Sequence, residues 1–233
     1  MLKAVLFDMD GVIYDSMPHH AEAWVTSMKH YGLNMTQADA YRCEGMRGVE
    51  TIAQLARQQW QRELSDDEAQ EMYAHKSACF AALGPAHKMP GVEHLMQTLK
   101  QAGITICVVT GSGQHTLLDH LEEEFPGLLH KHLMVTAFDV NHGKPAPDPY
   151  LMGLKKAGVG AHEAVVIENA PLGVRAAKAA GIYTIAVNTG PLPNSDLSRE
   201  GADVVVKTMA EAETLLAARG REQGTEDTFH VEH

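Results

Sequence analysis

Ala4-Val5-Leu6-Phe7-Asp8-Met9-Asp10-Gly11-Val12 runs from four apolar residues straight into two acids spaced two apart, then a glycine. Such an uninterrupted apolar run fits a strand buried on both faces, as in a parallel sheet. Two carboxylates at its end are costly to place unless a cation or hydrogen-bond donors hold them. Taken alone, the fragment fits equally a loop of solvated acids with Asp10 stabilising an Asx-type turn.

Outward from this stretch, five further runs at 104–109, 133–138, 164–167, 182–187 and 202–206 have the same apolar, β-branched character. Helical patterns at 92–102, 115–124, 149–157 and 173–180 lie between most of them. Strand alternating with helix predicts a doubly wound α/β domain with a parallel sheet. Residues 17–87 break the rhythm, because their apolar spacing is helical throughout, as in Ile52, Leu55, Ala56 and then Met72, Tyr73, Phe80, Leu83. The expected organisation is an α/β core from 1–16 and 88–218, with a helical insert at 17–87 after the first strand. The polar stretch 219–233 is expected to be a disordered tail.

Of the 233 residues, 45% are hydrophobic and 21% charged, which suits a globular core. The net charge of -11 argues against nucleic acid and anionic membrane as partners, so a small anionic substrate needs a locally positive site. Cys43, Cys79 and Cys107 show no CxxC spacing, which disfavours a disulfide framework or a zinc knuckle and fits a reducing compartment. No cleavable signal pattern and no membrane-spanning apolar stretch is seen. The expectation is a cytoplasmic monomer acting on a small phosphorylated molecule. The fourteen histidines lack HExxH spacing and are expected to be mostly solvated.

In an open α/β sheet, ligands bind beyond the carboxyl ends of the strands. There the second run delivers Thr110-Gly111-Ser112-Gly113, whose small residues let backbone N–H groups approach an anion at a helix start. An ordinary helix N-cap by Thr110 or Ser112 serves equally. Lys144 sits in Gly143-Lys144-Pro145-Ala146-Pro147, where prolines stiffen the backbone and aim the side chain, although a plain surface lysine also fits. The 164–167 run ends in Glu168-Asn169. Hard oxygen ligands from Asp8, Asp10 and Asn169 suit Mg²⁺.

In this order and at strand ends, these segments resemble the four motifs of the haloacid dehalogenase superfamily, and the resemblance covers nearly the whole chain. Residues 17–87 resemble the helical cap of its β-phosphoglucomutase-like branch. The resemblance implies a Rossmann-like core, Mg²⁺ and a catalytic set of Asp8, Asp10, Thr110 and Lys144. Asp8 would attack phosphorus to form an aspartyl-phosphate, and Asp10 would protonate the leaving oxygen and then activate the acceptor. Thr110 and Lys144 would hold the phosphoryl oxygens. Glu168 would orient Lys144 or a metal-bound water, and is counted with Asp8, Asp10 and Asn169 at the metal. The family usually carries an acid where Asn169 stands, which weakens charge neutralisation there.

On the insert, His20 aligns with the histidine that in the mutases couples cap closure to Asp10, against a reading as a helix-surface histidine. Glu44-Gly45-Met46-Arg47-Gly48 stands where the mutases grip a sugar phosphate. Arg47 replaces their lysine, and their phosphate-gripping arginine is missing, which favours hydrolysis. A Glu44 carboxylate repels a bare phosphate ester unless a metal bridges them or the substrate offers hydroxyl donors, so Mg²⁺-bound pyrophosphate is the first substrate expectation. A β-phosphoglucomutase or a sugar-phosphate phosphatase is the alternative. Lys76 is a further positive contact, although a solvated helix lysine is the commoner reading; Ser112 and Gln114 complete the substrate-facing set. A phospho-accepting receiver domain is the other class, but receivers have no large helical insert after the first strand.

Overall fold

The computed structural model describes residues 1–112 and 115–222. Six strands, β1 (Ala4–Phe7), β2 (Thr105–Val109), β3 (Met134–Val135), β4 (Ala164–Glu168), β5 (Tyr183–Val187) and β6 (Val204–Val206), form one sheet in the order β3-β2-β1-β4-β5-β6. All pairings are parallel. The helices in chain order are α1 (Met17–His30), α2 (Gln37–Arg42), α3 (Gly48–Trp60), α4 (Asp66–Ala82), α5 (Val92–Gln101), α6 (His115–Glu124), α7 (Asp148–Ala157), α8 (Pro171–Ala179), α9 (Asn194–Arg199) and α10 (Met209–Glu222).

β1 is apolar at every position because both its faces are covered. Val5 and Phe7 join Val92, Leu95 and Met96 of α5 and Leu216 of α10 in one core. Ala4 and Leu6 point the other way, against Tyr150 and Leu154 of α7 and Ala176 and Ala177 of α8. Each large side chain buried this way contributes about 1.5–3 kcal/mol. The central strand is thereby fixed, and so is the position of the acids that leave it.

Between β1 and α5 the chain is helical, with α1 to α4 building a separate apolar core around Trp24, Met28, Ile52, Leu55 and Met72. α2 and α4 begin in capping boxes, Thr36 with Asp39 and Ser65 with Glu68, which satisfy otherwise orphaned N–H groups. The outgoing and returning chains meet at the hinge: Asp15 N–H donates to the His87 carbonyl and Met89 N–H to the Ile13 carbonyl, both at 2.8 Å.

Two expectations change. The third run shortens to Met134–Val135, because the Thr136 N–H and hydroxyl both turn to the Asp139 carboxylate at 2.8 and 2.9 Å and end the strand. Position 219, where the tail was expected to start, lies within a helix. α10 continues to Glu222, and the Arg219 guanidinium lies 3.8 Å over the Tyr183 ring, a contact that holds the last turn. Residues 223–233 lie outside the described residues. Among the described residues, no helix is long and apolar enough to cross a membrane.

Candidate active site

Phe7 stands opposite Val108 and Ile167, so the residues following β1 and closing β4 lie level at one sheet edge. Asp8 and Glu168 meet there through Lys144, which is 1% exposed and donates to Asp8 Oδ1 at 2.5 Å and Glu168 Oε1 at 2.7 Å. Lys144 is therefore not the plain surface lysine of the alternative reading but a fully buried cation between two acids. Tyr150 OH donates to the same Glu168 oxygen at 2.9 Å, while Glu168 Oε2 accepts the N–H groups of Asn169 and Ala170 at 2.7 and 2.8 Å. Four donors fill the lone-pair sites of this carboxylate. Glu168 is thus held against Lys144 and the start of α8. α8 passes so close that a Cβ on Gly173 would come within 1.6 Å of Glu168 Oε1.

Burial pushes the Asp8 carboxyl up to about 7; Lys144 opposes the rise, and the charges of Glu168 and Asp10 add to it. A group raised above its unfolded value stabilises the fold fully only below that unfolded value, and the contribution disappears as pH climbs toward 7. In metal-free protein, the melting temperature of Asp8→Asn should therefore gain on that of the wild type between roughly pH 5 and pH 8. A constant difference across that window counts against a protonated Asp8.

Asp10 is held differently. Ser16 is the N-cap residue of α1, but its hydroxyl makes no capping bond; it donates to Asp10 Oδ1 at 2.5 Å. His20 Nε2 lies 3.2 Å from the same oxygen, and Lys76 Nζ lies 2.7 Å from His20 Nδ1. An ammonium can only donate, so Nδ1 accepts and the Nε2–H points at Asp10. Burial drives the Asp10 carboxyl upward, but His20, Ser16 and Lys76 together bring it below its usual range. Lys76 is not a solvated helix lysine: it is 4% exposed, packed under Trp24 and Phe80, and burial lowers its own proton affinity.

A cavity of about 250 Å³ opens from Asp8 and Asp10 toward α1 and α4. Ser16, His20, Glu44, Lys76 and Ser112 line it together with apolar surface from Trp24 and Phe80. Burial, then the charges of Asp10 and Asp8, push Glu44 well above the usual carboxyl range, against Lys76 and Lys144. These causes favour the protonated form of Glu44, in which it can donate a hydrogen bond.

Arg47 lies beside the main cavity rather than in it. Its guanidinium crosses to the core, donating from Nη2 to the Val140 carbonyl at 2.9 Å beside Gly143. Its Nε is buried without a hydrogen-bond partner among the described residues, and the side chain lines a second, smaller cavity together with Thr110, Gly111 and Lys144. Thr110 is buried and accepts the Ser112 N–H at 3.1 Å, placing it beside Lys144 in that water-sized cavity. Gln114 lies outside the described residues. Ser16 and Tyr150 are the site residues that sequence reasoning missed.

Asn169 Oδ1 is buried with no hydrogen-bond partner. Its amide packs against Gly11, where φ is +81° and an added Cβ would lie 2.0 Å from Nδ2. Gly11→Ala should strain the loop and expel Asn169, costing about 1–3 kcal/mol and most of the turnover. Thermal melts and phosphate release measure the two effects; an active, equally stable variant contradicts this packing. The carboxyl groups of Asp8, Asp10, Glu44 and Glu168 outnumber the ammonium groups of Lys144 and Lys76, and their mutual repulsion helps raise Asp8 and Glu44, an excess that a bound cation would offset. Among the described residues, no three His, Cys, Asp or Glu side chains form a metal-binding group. The unpartnered oxygen here belongs to an amide, and with the excess charge it fits a hard divalent cation.

A family model described as haloacid dehalogenase-like hydrolase matches residues 2–181. Hexitol phosphatase A of Escherichia coli (strain K12) is 30% identical over 188 residues, 80% of this chain and 83% of its own. Fructose-1-phosphate phosphatase YqaB of the same organism is 32% identical, over 78% of this chain and 95% of its own. A solved structure from Bacteroides vulgatus, provisionally described as a beta-phosphoglucomutase, is 48% identical with a TM-score of 0.88, covering 93% of this chain and 88% of its own.

Proposed function

The chain belongs to the haloacid dehalogenase-like hydrolase family, and we propose that it is a Mg²⁺-dependent phosphatase for small phosphorylated sugars or polyols. The observation that carries this reading is the cavity beyond Asp8 and Asp10. Lys76 is its one ammonium group among the described residues, and that group is committed to His20. Arg47 lies outside this cavity, with one nitrogen given to the Val140 carbonyl. The space thus holds one phosphoryl group at Asp8 and a neutral leaving group, without a cationic grip for a second phosphate.

Asp8 attacks phosphorus, and the P–O bond to the leaving group breaks as the Asp8–phosphorus bond forms. The leaving oxygen takes a proton from Asp10, whose affinity rises when the anionic phosphate arrives beside it. Asp10 then removes a proton from water, which attacks phosphorus and frees Asp8. His20, aimed by Lys76, holds the Asp10 carboxylate as a base for this second half. Lys144 and the Thr110 hydroxyl hold phosphoryl oxygens, and Glu44 in its protonated form donates to the substrate instead of repelling it. Asp8, Asp10 and Asn169 would hold Mg²⁺, which supplies charge neutralisation for the transferring phosphoryl group.

Inorganic pyrophosphate is the second reading, and it requires Glu44 to be ionised so that it shares a cation with a diphosphate, against the direction in which burial shifts it. The similarity to hexitol and fructose-1-phosphate phosphatases favours the first. Product analysis with β-glucose 1-phosphate and Mg²⁺ separates hydrolysis from isomerisation. Glucose and phosphate in equal amounts are expected, and glucose 6-phosphate as the main product refutes a phosphatase.

A further inference from the structure

Tyr14 in the hinge and His120 on α6 also line the cavity, yet none of the steps above uses them. Glu124 joins the two. Tyr14 OH donates to Glu124 Oε2 at 2.5 Å, and His120 Nε2 lies 3.3 Å from Glu124 Oε1. Lys88, also in the hinge, donates to the Glu124 carbonyl at 2.8 Å and sits 4.3 Å over the Phe125 ring. The backbone of Tyr14 pairs with Lys88 in turn. The end of α6 is thereby pinned to both hinge strands, and the carboxylate has one fixed orientation.

Packing accounts for Tyr14, which is 7% exposed, but not for His120, which is exposed at the cavity wall. With a neutral imidazole and Nε2–H directed at Glu124, Nδ1 is left as an acceptor. An acceptor backed by a carboxylate suits a hydroxyl donor and disfavours a phosphate. We infer that His120 is a specificity-determining residue that accepts a hydrogen bond from a hydroxyl of the leaving group, with Glu124 and Tyr14 as its positioning residues. This rests on the sugar-phosphatase reading and adds where a polyhydroxylated leaving group is recognised.

The test compares a hexitol phosphate with acetyl phosphate, which has no hydroxyl on its leaving group, at about pH 8, above the ordinary histidine range. His120→Ala should raise KM for the hexitol phosphate about 3- to 10-fold with kcat little changed, the size of one hydrogen bond. The same variant should keep KM for acetyl phosphate within about twofold. His120→Gln, which restores an acceptor, should recover part of the loss where His120→Leu does not, and Tyr14→Phe should give a smaller rise in KM. Equal losses on both substrates, or no loss on either, overturn the assignment while leaving the phosphatase reading intact. Wild-type turnover of acetyl phosphate with none of any hydroxyl-bearing ester overturns both.

Discussion

Asp8→Asn should abolish turnover of every substrate, lowering kcat by about 10³-fold or more, because the amide is not a nucleophile toward phosphorus. That factor corresponds to about 4 kcal/mol of barrier. The variant should stay folded. Burial destabilises the ionised Asp8 carboxyl, and Lys144 keeps Glu168 as a partner when the Asp8 charge is removed. Steady-state phosphate release with a melting curve on the same preparation checks both halves. A variant that is folded and retains a tenth of wild-type activity rules out Asp8 as the nucleophile.

Lys144→Ala should fail in the opposite manner, through stability as well as rate. Its ammonium is the shared counter-ion of Asp8 and Glu168, all three nearly free of solvent. Those partners raise its proton affinity well above the usual lysine range although burial alone would lower it. Removing one member of a buried ionic group leaves the others uncompensated, at a cost of about 3–5 kcal/mol. For a chain of this length that lowers the melting temperature by roughly 10 °C. Combining it with Glu168→Gln should cost less than the sum of the two single changes, since each removes the other's partner. Additive losses mean that Lys144 and Glu168 do not act as a unit.

The central strand and its acids were readable because their physics is local. Four apolar residues running into Asp8 and Asp10 allow few placements other than a buried parallel strand that ends at a site. Lys144 and Glu168 were legible as strand-end residues, but their contact is not local: 24 positions separate them, and Tyr150, which completes the group, reads as one more core residue of α7. Ser16 reads as a helix cap, and the acceptor that draws its hydroxyl away lies outside the helix.

The direction of Arg47 was not legible for a similar reason. It depends on how α3 seats against the core loop at Val140, which no spacing rule contains. For Glu44 the effect of burial on its charge was not legible. A charged carboxylate repels phosphate, but burial beside Asp10 and Asp8 favours its neutral form. With that repulsion removed, much of the reason for preferring pyrophosphate goes as well.

The proposed substrate class is tested most directly by kcat/KM with Mg²⁺ for a hexitol phosphate, fructose 1-phosphate and inorganic pyrophosphate, each repeated with chelator. The expected result is saturable turnover of the sugar and polyol phosphates, at least about tenfold preferred over pyrophosphate and lost with chelator. Preferential hydrolysis of pyrophosphate would contradict it and return Glu44 to the role of a metal-sharing carboxylate.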